Sequence, residues 1–351
     1  MVSERWEPLA FKARVDEVLC DFVAREADQF AAVDPALDPV ARQLEQAVAE
    51  GKRLRASFCY WGWRAAGQPD SDVLVRAAAS MELVHAAAMV HDDLIDDSAL
   101  RHGRPTAHVA LRIALRRRPR AVNAARSLAK LVGDLLMSLA GQLFVSSGLP
   151  AAYLSRARPL WAALARELIA GECLEILHTG AAPDTSASLK VIRYKTAKYT
   201  VEQPLLIGGA LAGAGERLRE GYSAYGLPLG EAFQLRDDLL GLFGDPERTG
   251  KANLDDVRGH RPTALLAETW RIAGGEEREQ LRAVLGRRDM DGDGLEAVRA
   301  LMLRLKAPDR IEEMITARVE EATRCLHDLD VPGHATEALT ALAQSAAIRH
   351  H

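Results

Sequence analysis

Residues 90–97 read VHDDLIDD, which places four aspartates within eight positions. The stretch 80–90 before them lacks Gly and Pro, so we expect it to be helical. If the helix continues to Asp96, the carboxylates of Asp92 and Asp96 lie on one face, because residues four apart are neighbours on a helix. Like charges repel at this spacing, so the cluster costs stability unless a cation binds. Carboxylates suit Mg²⁺, which often shares its coordination shell with substrate phosphates. The alternative is a solvated acidic helix end.

A second acidic pair, Asp237 and Asp238, lies in the stretch 233–241, which reads FQLRDDLLG near the end of an apolar helix. Alone, this pair is weak evidence for a site. Together, the two acidic helix ends predict facing walls of one cavity that holds several cations.

Basic residues complete the pattern. Residues 51–55 read GKRLR and begin a predicted helix, in which Lys52 and Arg55 at i and i+3 can point the same way. A helix N-terminus with two cationic side chains is suited to a diphosphate. Arg101 and Lys195 are candidates for further phosphate contacts. The alternative for any one of these cations is a solvated side chain, and for His85 it is a buried core histidine.

Helices must position these residues, since Ala and Leu dominate and β-branched runs are scarce. Breaks at Gly, Pro and polar turns delimit the predicted helices. They span 15–31, 40–51, 53–66, 72–97, 124–146, 151–178, 189–212, 218–243, 262–274, 275–285, 293–305 and 308–329. With 48% hydrophobic residues and no low-complexity linker, the chain of 351 residues is best explained as one all-helical domain over 1–351.

Net charge, cysteine spacing and hydropathy limit the classes of partner and the cellular location that we expect. The formal net charge of -4 gives no reason to expect nucleic acid or an anionic membrane surface as a partner. Four scattered cysteines form no CxxC pair, so neither a zinc site nor a disulfide framework is expected. No signal-peptide core and no uninterrupted apolar stretch long enough to span a membrane is present, so we expect no membrane insertion and a cytoplasmic location.

The ordered motifs resemble the trans-isoprenyl diphosphate synthase (polyprenyl synthetase) family, and are most like a bacterial geranylgeranyl diphosphate synthase. DDLID at 92–96 with Arg101 and GRPT at 103–106 resembles the first aspartate-rich motif of that family. Asp237 and Asp238, followed by GDP at 244–246 and TGK at 249–251, resemble the second. GKRLR at 51–55, ELVH at 82–85, GD at 133–134 and KT at 195–196 also have counterparts.

This resemblance implies an all-α, single-domain helical bundle of the isoprenoid synthase type with a central active-site cavity. It implies a homodimer that condenses isopentenyl diphosphate with an allylic diphosphate and uses three Mg²⁺ ions per active site. The implied metal ligands are Asp92, Asp93, Asp96, Asp237 and Asp238. The implied catalytic set adds Arg101, Lys195 and Thr196, and the implied substrate-binding set is Lys52, Arg55, His85, Arg101, His102, Lys195, Thr196, Gln234, Lys251 and Arg261.

Several positions depart from the pattern that the resemblance sets. Gly241 stands where many members carry the last aspartate of the second motif, with Asp245 one turn on. His102 replaces an arginine usually assigned to isopentenyl diphosphate, and we expect this change to weaken that site or to make it depend on pH. Glu172 replaces a usual glutamine and Glu175 a usual aspartate. These changes leave room for a specialised activity.

Small residues before Asp92 bear on product length. Ala87 and Ala88 lie one helical turn before it and Val84 a further turn away, where related short-chain synthases carry bulky aromatics. The floor is the end of the cavity that stops the growing prenyl tail, and small side chains here leave it open. An open floor favours the twenty-carbon geranylgeranyl diphosphate over farnesyl diphosphate and also allows longer products. The remaining alternatives are a class I terpene cyclase and a non-catalytic subunit of a synthase.

Overall fold

The computed structural model describes residues 7–244, 261–285 and 292–347, and the predicted all-α class is confirmed. The first helices are α1 Pro8–Ala31, α2 Asp38–Val48, α3 Leu54–Ala65, α4 Asp72–Ile95, α5 Ala107–Ala114, α6 Ala121–Val145 and α7 Ala151–His178. They are followed by α8 Thr185–Val191, a π-helix Ile192–Glu202, α9 Gln203–Ala212, α10 Glu216–Phe243, α11 Ala264–Ile272, α12 Gly275–Leu285, α13 Gly292–Arg304, α14 Ala307–His327 and α15 Gly333–Ala347. A 3₁₀ turn, Pro35–Leu37, and two short strands, β1 Leu100–Arg101 and β2 Arg104–Pro105, complete the described elements.

The chain divides into two compact units. The first contains the described residues up to Pro159, with Ile207–Ala214 and Val331–Ala335. Its centre is α4, which packs against α6, α3 and α1. Residues 77–84 of α4 are all buried, and so is every residue of α3. A helix that is apolar on all sides is a core helix, so α4 belongs to the interior of this unit.

The second unit contains Leu160–Leu206, the described residues of Gly215–Asp330, and residues 336–347. Its long helix α10 packs against the π-helix and against α14. Tyr222 and Tyr225 of α10 are fully buried, and the Tyr225 hydroxyl donates to the Leu339 carbonyl oxygen at 2.8 Å. The prediction of a single domain over 1–351 stays a prediction.

Most predicted helices appear close to their expected bounds, with informative differences at their ends. Pro159 and Pro228 lie inside α7 and α10 without ending them. The helix expected at 189–212 begins earlier, at Thr185, because the Asp184 side chain caps it by accepting from Ala187 N at 2.7 Å. Its middle is a π-helix that ends directly before Gln203-Pro204, and a proline removes an N–H that would close an α-helical turn.

Among the helices of the described residues, α4 and α6 are long and apolar enough to cross a membrane by length and composition. In α4, 72% of the relevant window is buried inside the protein, as expected for a core helix, and in α6 the share is 44%. The four cysteines are free thiols.

Candidate active site

In the first unit, the carboxyl end of α4 carries the first acidic cluster. Asp92 and Asp93 are buried, with 7% and 5% of their surface exposed. The Asp96 N–H donates to the Asp92 carbonyl oxygen at 2.9 Å, so the last turn is helical and Asp92 and Asp96 stand at i and i+4 as predicted. The helix ends here because Asp97 has a left-handed φ of 55°.

Arg101 lies directly against this cluster. Its Nε donates to Asp93 Oδ2 at 3.0 Å, and its Nη2 donates to Asp93 Oδ1 at 2.7 Å and to Asp92 Oδ2 at 3.3 Å. This forked geometry is typical of an arginine that binds a carboxylate with two parallel hydrogen bonds. Arg101, predicted to contact a diphosphate, is therefore seen bridging two of the predicted metal ligands.

A hairpin with a two-residue turn, which is absent from the predicted elements, positions Arg101 beside the carboxylates. β1 and β2 pair with Leu100 opposite Pro105 and Arg101 opposite Arg104. The intervening residues His102 and Gly103 have φ of 51° and 74°, the positive values that a type I′ turn requires. The predicted substrate residue His102 is exposed at the tip of this turn.

His85 occupies a cationic environment in the same unit. Burial, reinforced by the guanidinium groups of Arg55, Arg101 and Arg53, lowers the pKa of His85 well below its ordinary value of 6.5. The imidazole is therefore neutral at neutral pH and offers one donor and one acceptor. The predicted ligand His85 thus shares its surroundings with Arg55, the other predicted ligand.

The structure corrects the prediction for Lys52. We expected Lys52 and Arg55 to lie at i and i+3 of one helix, but α3 begins only at Leu54. Arg53 has a left-handed φ of 56°, which interrupts helical geometry between the two cations. Lys52 is exposed before the helix and Arg55 is buried in its first turn, so helical spacing does not decide where Lys52 points.

His91 gives the pair Gly133-Asp134 a structural role. Its Nε2 lies 3.2 Å from the Lys130 carbonyl oxygen and 3.3 Å from Asp134 Oδ1, both on α6. A Cβ atom at Gly133 would lie only 2.3 Å from that nitrogen. Glycine at 133 therefore allows the imidazole beside Asp92 to rest on α6, and this contact ties the end of α4 to its neighbour.

The predicted chain-length residues differ in burial. Val84 and Ala87 are buried, with 1% and 0% exposed, while Ala88 is partly accessible. Of the three, Ala88 is the position at which a larger side chain finds room most readily.

In the second unit, the π-helix carries Lys195 and Thr196. Lys195 Nζ lies 2.9 Å from Glu172 Oε2 and also contacts the Glu175 carboxylate, both on α7. The backbones approach closely here, because a Cβ at Gly171 would lie 2.2 Å from Lys195 N. An anionic ligand of Lys195 would compete with these two carboxylates, which in the sequence stand out only as departures from a family pattern.

Thr196 begins a chain of hydrogen bonds that crosses this unit. Its hydroxyl donates to Gln234 Oε1 at 2.8 Å, and Gln234 Nε2 donates to Asp238 Oδ1 at 2.9 Å. Asp238 Oδ2 accepts from Ala264 N at 3.3 Å, at the start of α11. Thr196 and Asp238 are both buried, at 8% exposed. Both oxygens of Asp238 thus serve hydrogen bonds inside this unit, whereas Asp237 beside it is more accessible.

Of the other predicted residues of this unit, Arg261 lies beside that chain. Arg261 and Asp238 line a small cavity together with Thr263 and Leu242. Gly241 lies within α10. Lys251 and Asp245 lie outside the described residues.

The donor set at the end of α4 fits a magnesium ion. Asp92, Asp93 and Asp96 bring three carboxylates into five residues, and one guanidinium bridges two of them. Oxygen ligands without cysteine are the set that hard divalent cations prefer, whereas zinc favours sulfur and imidazole nitrogen.

A family model described as polyprenyl synthetase matches residues 38–302. The chain belongs to the polyprenyl synthetase family. It is accordingly a trans-prenyltransferase by family, and its all-α fold is that of the isoprenoid synthases.

Individual relatives span a range of product lengths. The (2E,6E)-farnesyl diphosphate synthase of Mycobacterium tuberculosis is 35% identical over 260 residues, which cover 72% of this chain and 67% of that protein. The nonaprenyl diphosphate synthase of the same organism is 27% identical over 358 residues, covering 98% and 99%. The solved structure of a geranylgeranyl pyrophosphate synthase from Corynebacterium glutamicum, complexed with isoprenyl diphosphate and magnesium, matches with a TM-score of 0.93 and 32% identity, covering 98% of this chain and 100% of that one.

Proposed function

We propose that this protein is a magnesium-dependent prenyltransferase that joins isopentenyl diphosphate head-to-tail to an allylic diphosphate. The observation that carries the proposal is the buried pair Asp92 and Asp93, bridged by Arg101 at the end of α4. Arg101 balances one of the three negative charges of Asp92, Asp93 and Asp96, and a divalent cation accounts for the charge that remains. Family membership over residues 38–302 supports the same activity.

The proposed metal ligands are Asp92, Asp93 and Asp96 on α4 and Asp237 on α10. Asp238, whose two oxygens accept from Gln234 and Ala264, supports the position of Asp237. When bound, Mg²⁺ ions neutralise the negative charge that grows on the departing diphosphate. Three ions per site remain part of this proposal, on the strength of the family resemblance.

The remaining side chains bind and orient the substrates. The allylic diphosphate is assigned to Lys195, Lys251 and Arg101. Isopentenyl diphosphate is assigned to Lys52, Arg55 and neutral His85. His102 and Arg261 are further substrate-binding residues in this proposal. Cleavage of the allylic carbon–oxygen bond releases pyrophosphate and leaves a carbocation, which the Thr196 hydroxyl stabilises. The double bond of isopentenyl diphosphate attacks this carbon, and the proton lost afterwards goes to the departing pyrophosphate.

A substrate-requirement assay tests this proposal. Release of pyrophosphate should require isopentenyl diphosphate, an allylic diphosphate and Mg²⁺ together, and a chelator should stop it. Release from the allylic diphosphate alone, with a hydrocarbon as the organic product, would replace the synthase by a cyclase. No release under any condition would support a non-catalytic subunit.

We propose geranylgeranyl diphosphate as the product, because Ala88 is small and partly accessible one turn before Asp92. The match to the Corynebacterium glutamicum structure supports this assignment. Farnesyl diphosphate is the second candidate, because the Mycobacterium tuberculosis farnesyl synthase is 35% identical.

Replacing Ala88 by Phe tests whether the small side chain at this position leaves room for the growing prenyl tail. The ring should block the path of the growing tail and shorten the main product by at least one five-carbon unit, while Ala88→Ser should leave the product unchanged. Chromatography of the dephosphorylated alcohols measures this. An unchanged product in Ala88→Phe would show that another residue sets the floor.

A homodimer and a cytoplasmic location are further parts of the proposal. Support for a dimer comes from apolar side chains on helix surfaces: Leu131 and Val145 of α6 are 57% and 66% exposed, and Leu177 of α7 is 75% exposed. Exposed apolar side chains mark an interaction surface where they form a contiguous patch. Sedimentation equilibrium would show twice the chain mass if this is correct, and a single chain mass would refute it.

A further inference from the structure

Arg53 adopts an unusual conformation between the two predicted cations Lys52 and Arg55. Its φ of 56° lies in the left-handed region, which arginine rarely adopts. Such a conformation persists only where surrounding contacts hold it.

Those contacts come from the Arg53 side chain, which is only 3% exposed. Nε donates to Asp16 Oδ1 at 2.6 Å, on α1. Nη1 donates to the Glu50 carbonyl oxygen at 3.0 Å and Nη2 to the Val48 carbonyl oxygen at 2.5 Å, at the end of α2. Gly51 passes over the guanidinium, since a Cβ there would lie 2.8 Å from Nη1. The Arg53 guanidinium thus joins the start of α3 to α1 and to the end of α2.

The other side of the segment is held by α4. Glu82, only 2% exposed, accepts a hydrogen bond from Ala56 N at 2.9 Å, in the first turn of α3. The Arg53 carbonyl oxygen accepts from the Ser57 hydroxyl at 2.9 Å. Residues 51–57 are therefore fixed between α1 and α2 on one side and α4, which also carries His85, on the other.

We infer that Arg53 and Asp16 are positioning residues for the isopentenyl diphosphate site, fixing the backbone from which Lys52 and Arg55 extend. Neither has to touch the substrate, since the Arg53 side chain is buried and donates three hydrogen bonds, to Asp16 and to two carbonyl oxygens. This inference rests on the proposed function, in which Lys52 and Arg55 bind that diphosphate.

Asp16 supports the arrangement electrostatically. Burial alone would raise the pKa of its carboxyl group, but hydrogen bonds from Lys12 and Arg53 lower that pKa below its ordinary value. The carboxylate is therefore ionised at neutral pH, and it holds a charge-assisted hydrogen bond to the guanidinium.

Three variants test the inference: Asp16→Asn, Arg53→Gln and the conservative Arg53→Lys. The matched control is Asp72→Asn, which breaks another 2.6 Å ion pair to α1, between Asp72 Oδ1 and Arg14 Nη2. Steady-state kinetics give KM for each substrate and kcat, and calorimetry gives the dissociation constant of isopentenyl diphosphate without turnover. Thermal unfolding checks each fold, and Asp16→Glu replaces Asp16→Asn if the latter is unfolded.

We expect Asp16→Asn and Arg53→Gln to raise the KM and the dissociation constant of isopentenyl diphosphate by about tenfold or more, because small displacements of binding groups are costly. The KM of the allylic diphosphate should stay unchanged. Arg53→Lys should recover part of the loss, and Asp72→Asn should behave like the wild type.

The inference is overturned if both variants bind isopentenyl diphosphate as the control does, or if they weaken both substrates equally. A wild-type protein that neither binds nor consumes isopentenyl diphosphate would instead contradict the proposed function itself, which the calorimetry on unmodified protein reveals first.

Discussion

At the scale of single residues, the candidate site is governed by charge balance. Arg101 bridges Asp92 and Asp93, while Lys195 is held by Glu172 and Glu175. In both places a cation predicted to bind phosphate already contacts carboxylates of its own unit. Removing one member of such a group changes both the local charge and the orientation of its partner.

The Asp92→Ala variant should lose turnover while keeping its fold. Removal of a metal ligand should lower kcat/KM by about a hundredfold or more, and relief of repulsion with Asp93 and Asp96 should leave the thermal midpoint unchanged or higher. Asp97→Asn is the control, because Asp97 is exposed just past the helix end and asparagine tolerates its left-handed φ of 55°. Retained turnover in Asp92→Ala would remove this residue from the metal site.

His85 should make stability depend on pH. Its folded pKa lies well below 6.5, so the unfolded chain binds a proton at His85 that the folded protein excludes. The contribution of the neutral imidazole to the free energy of unfolding is fully present above pH 6.5. It is lost as the pH falls from 6.5 towards the folded pKa.

Chemical denaturation of wild type and His85→Gln at about pH 7.5 and about pH 5.5 measures this contribution. The wild type should lose more free energy of unfolding on acidification than the variant does. His108, whose pKa burial also lowers, contributes to the loss in both proteins. Identical losses in the two proteins would show that His85 does not cause the pH dependence of stability.

At the scale of elements, glycines set where helices meet. α7 contacts the π-helix at Gly171, and α10 contacts it at Gly230, where a Cβ would lie 2.5 Å from Ala197 Cα. These close approaches place Lys195 beside Glu172 and Thr196 beside Gln234. The position of the π-helix is therefore set by sites at which a neighbouring helix carries no side chain, and these include Gly226 of α10, where a Cβ would lie 3.0 Å from Glu202 Cα.

Gly171→Ala should destabilise the protein by about 1–3 kcal/mol, because the methyl group has no room beside Lys195 N. Gly141→Ala is the control, since a Cβ at that helical glycine would meet no neighbouring atom within 4 Å and alanine should stabilise the protein by about 0.5–1 kcal/mol. Urea unfolding compares them. Equal effects of the two substitutions would show that Gly171 does not set the approach of α7.

At the scale of the whole molecule, the sequence predicts the helical class and the acidic helix end well. Apolar stretches without Gly or Pro identify α4, and the i, i+4 relation of Asp92 and Asp96 follows from helical geometry alone. The helical i, i+3 spacing of Lys52 and Arg55 was predicted wrongly, because the left-handed conformation of Arg53 depends on contacts with Asp16 and α2. No local pattern encodes such distant partners.

Two other features were missed for the same reason. The π-helix depends on close packing at Gly171 and Gly230, and the hydrogen bonds from Thr196 through Gln234 to Asp238 link residues far apart in the chain. The hairpin at 100–105 did carry a local signal, since His102-Gly103 between two short residue pairs suits a two-residue turn.

The most direct test of the proposed activity is mass analysis of the product made from purified protein, Mg²⁺, isopentenyl diphosphate and one allylic primer at a time. We expect products longer than the primer by whole five-carbon units, ending at the twenty-carbon geranylgeranyl diphosphate. A product that ends at fifteen carbons would keep the chemistry and change the chain-length assignment. Primer that stays unextended in the presence of isopentenyl diphosphate would contradict the central claim.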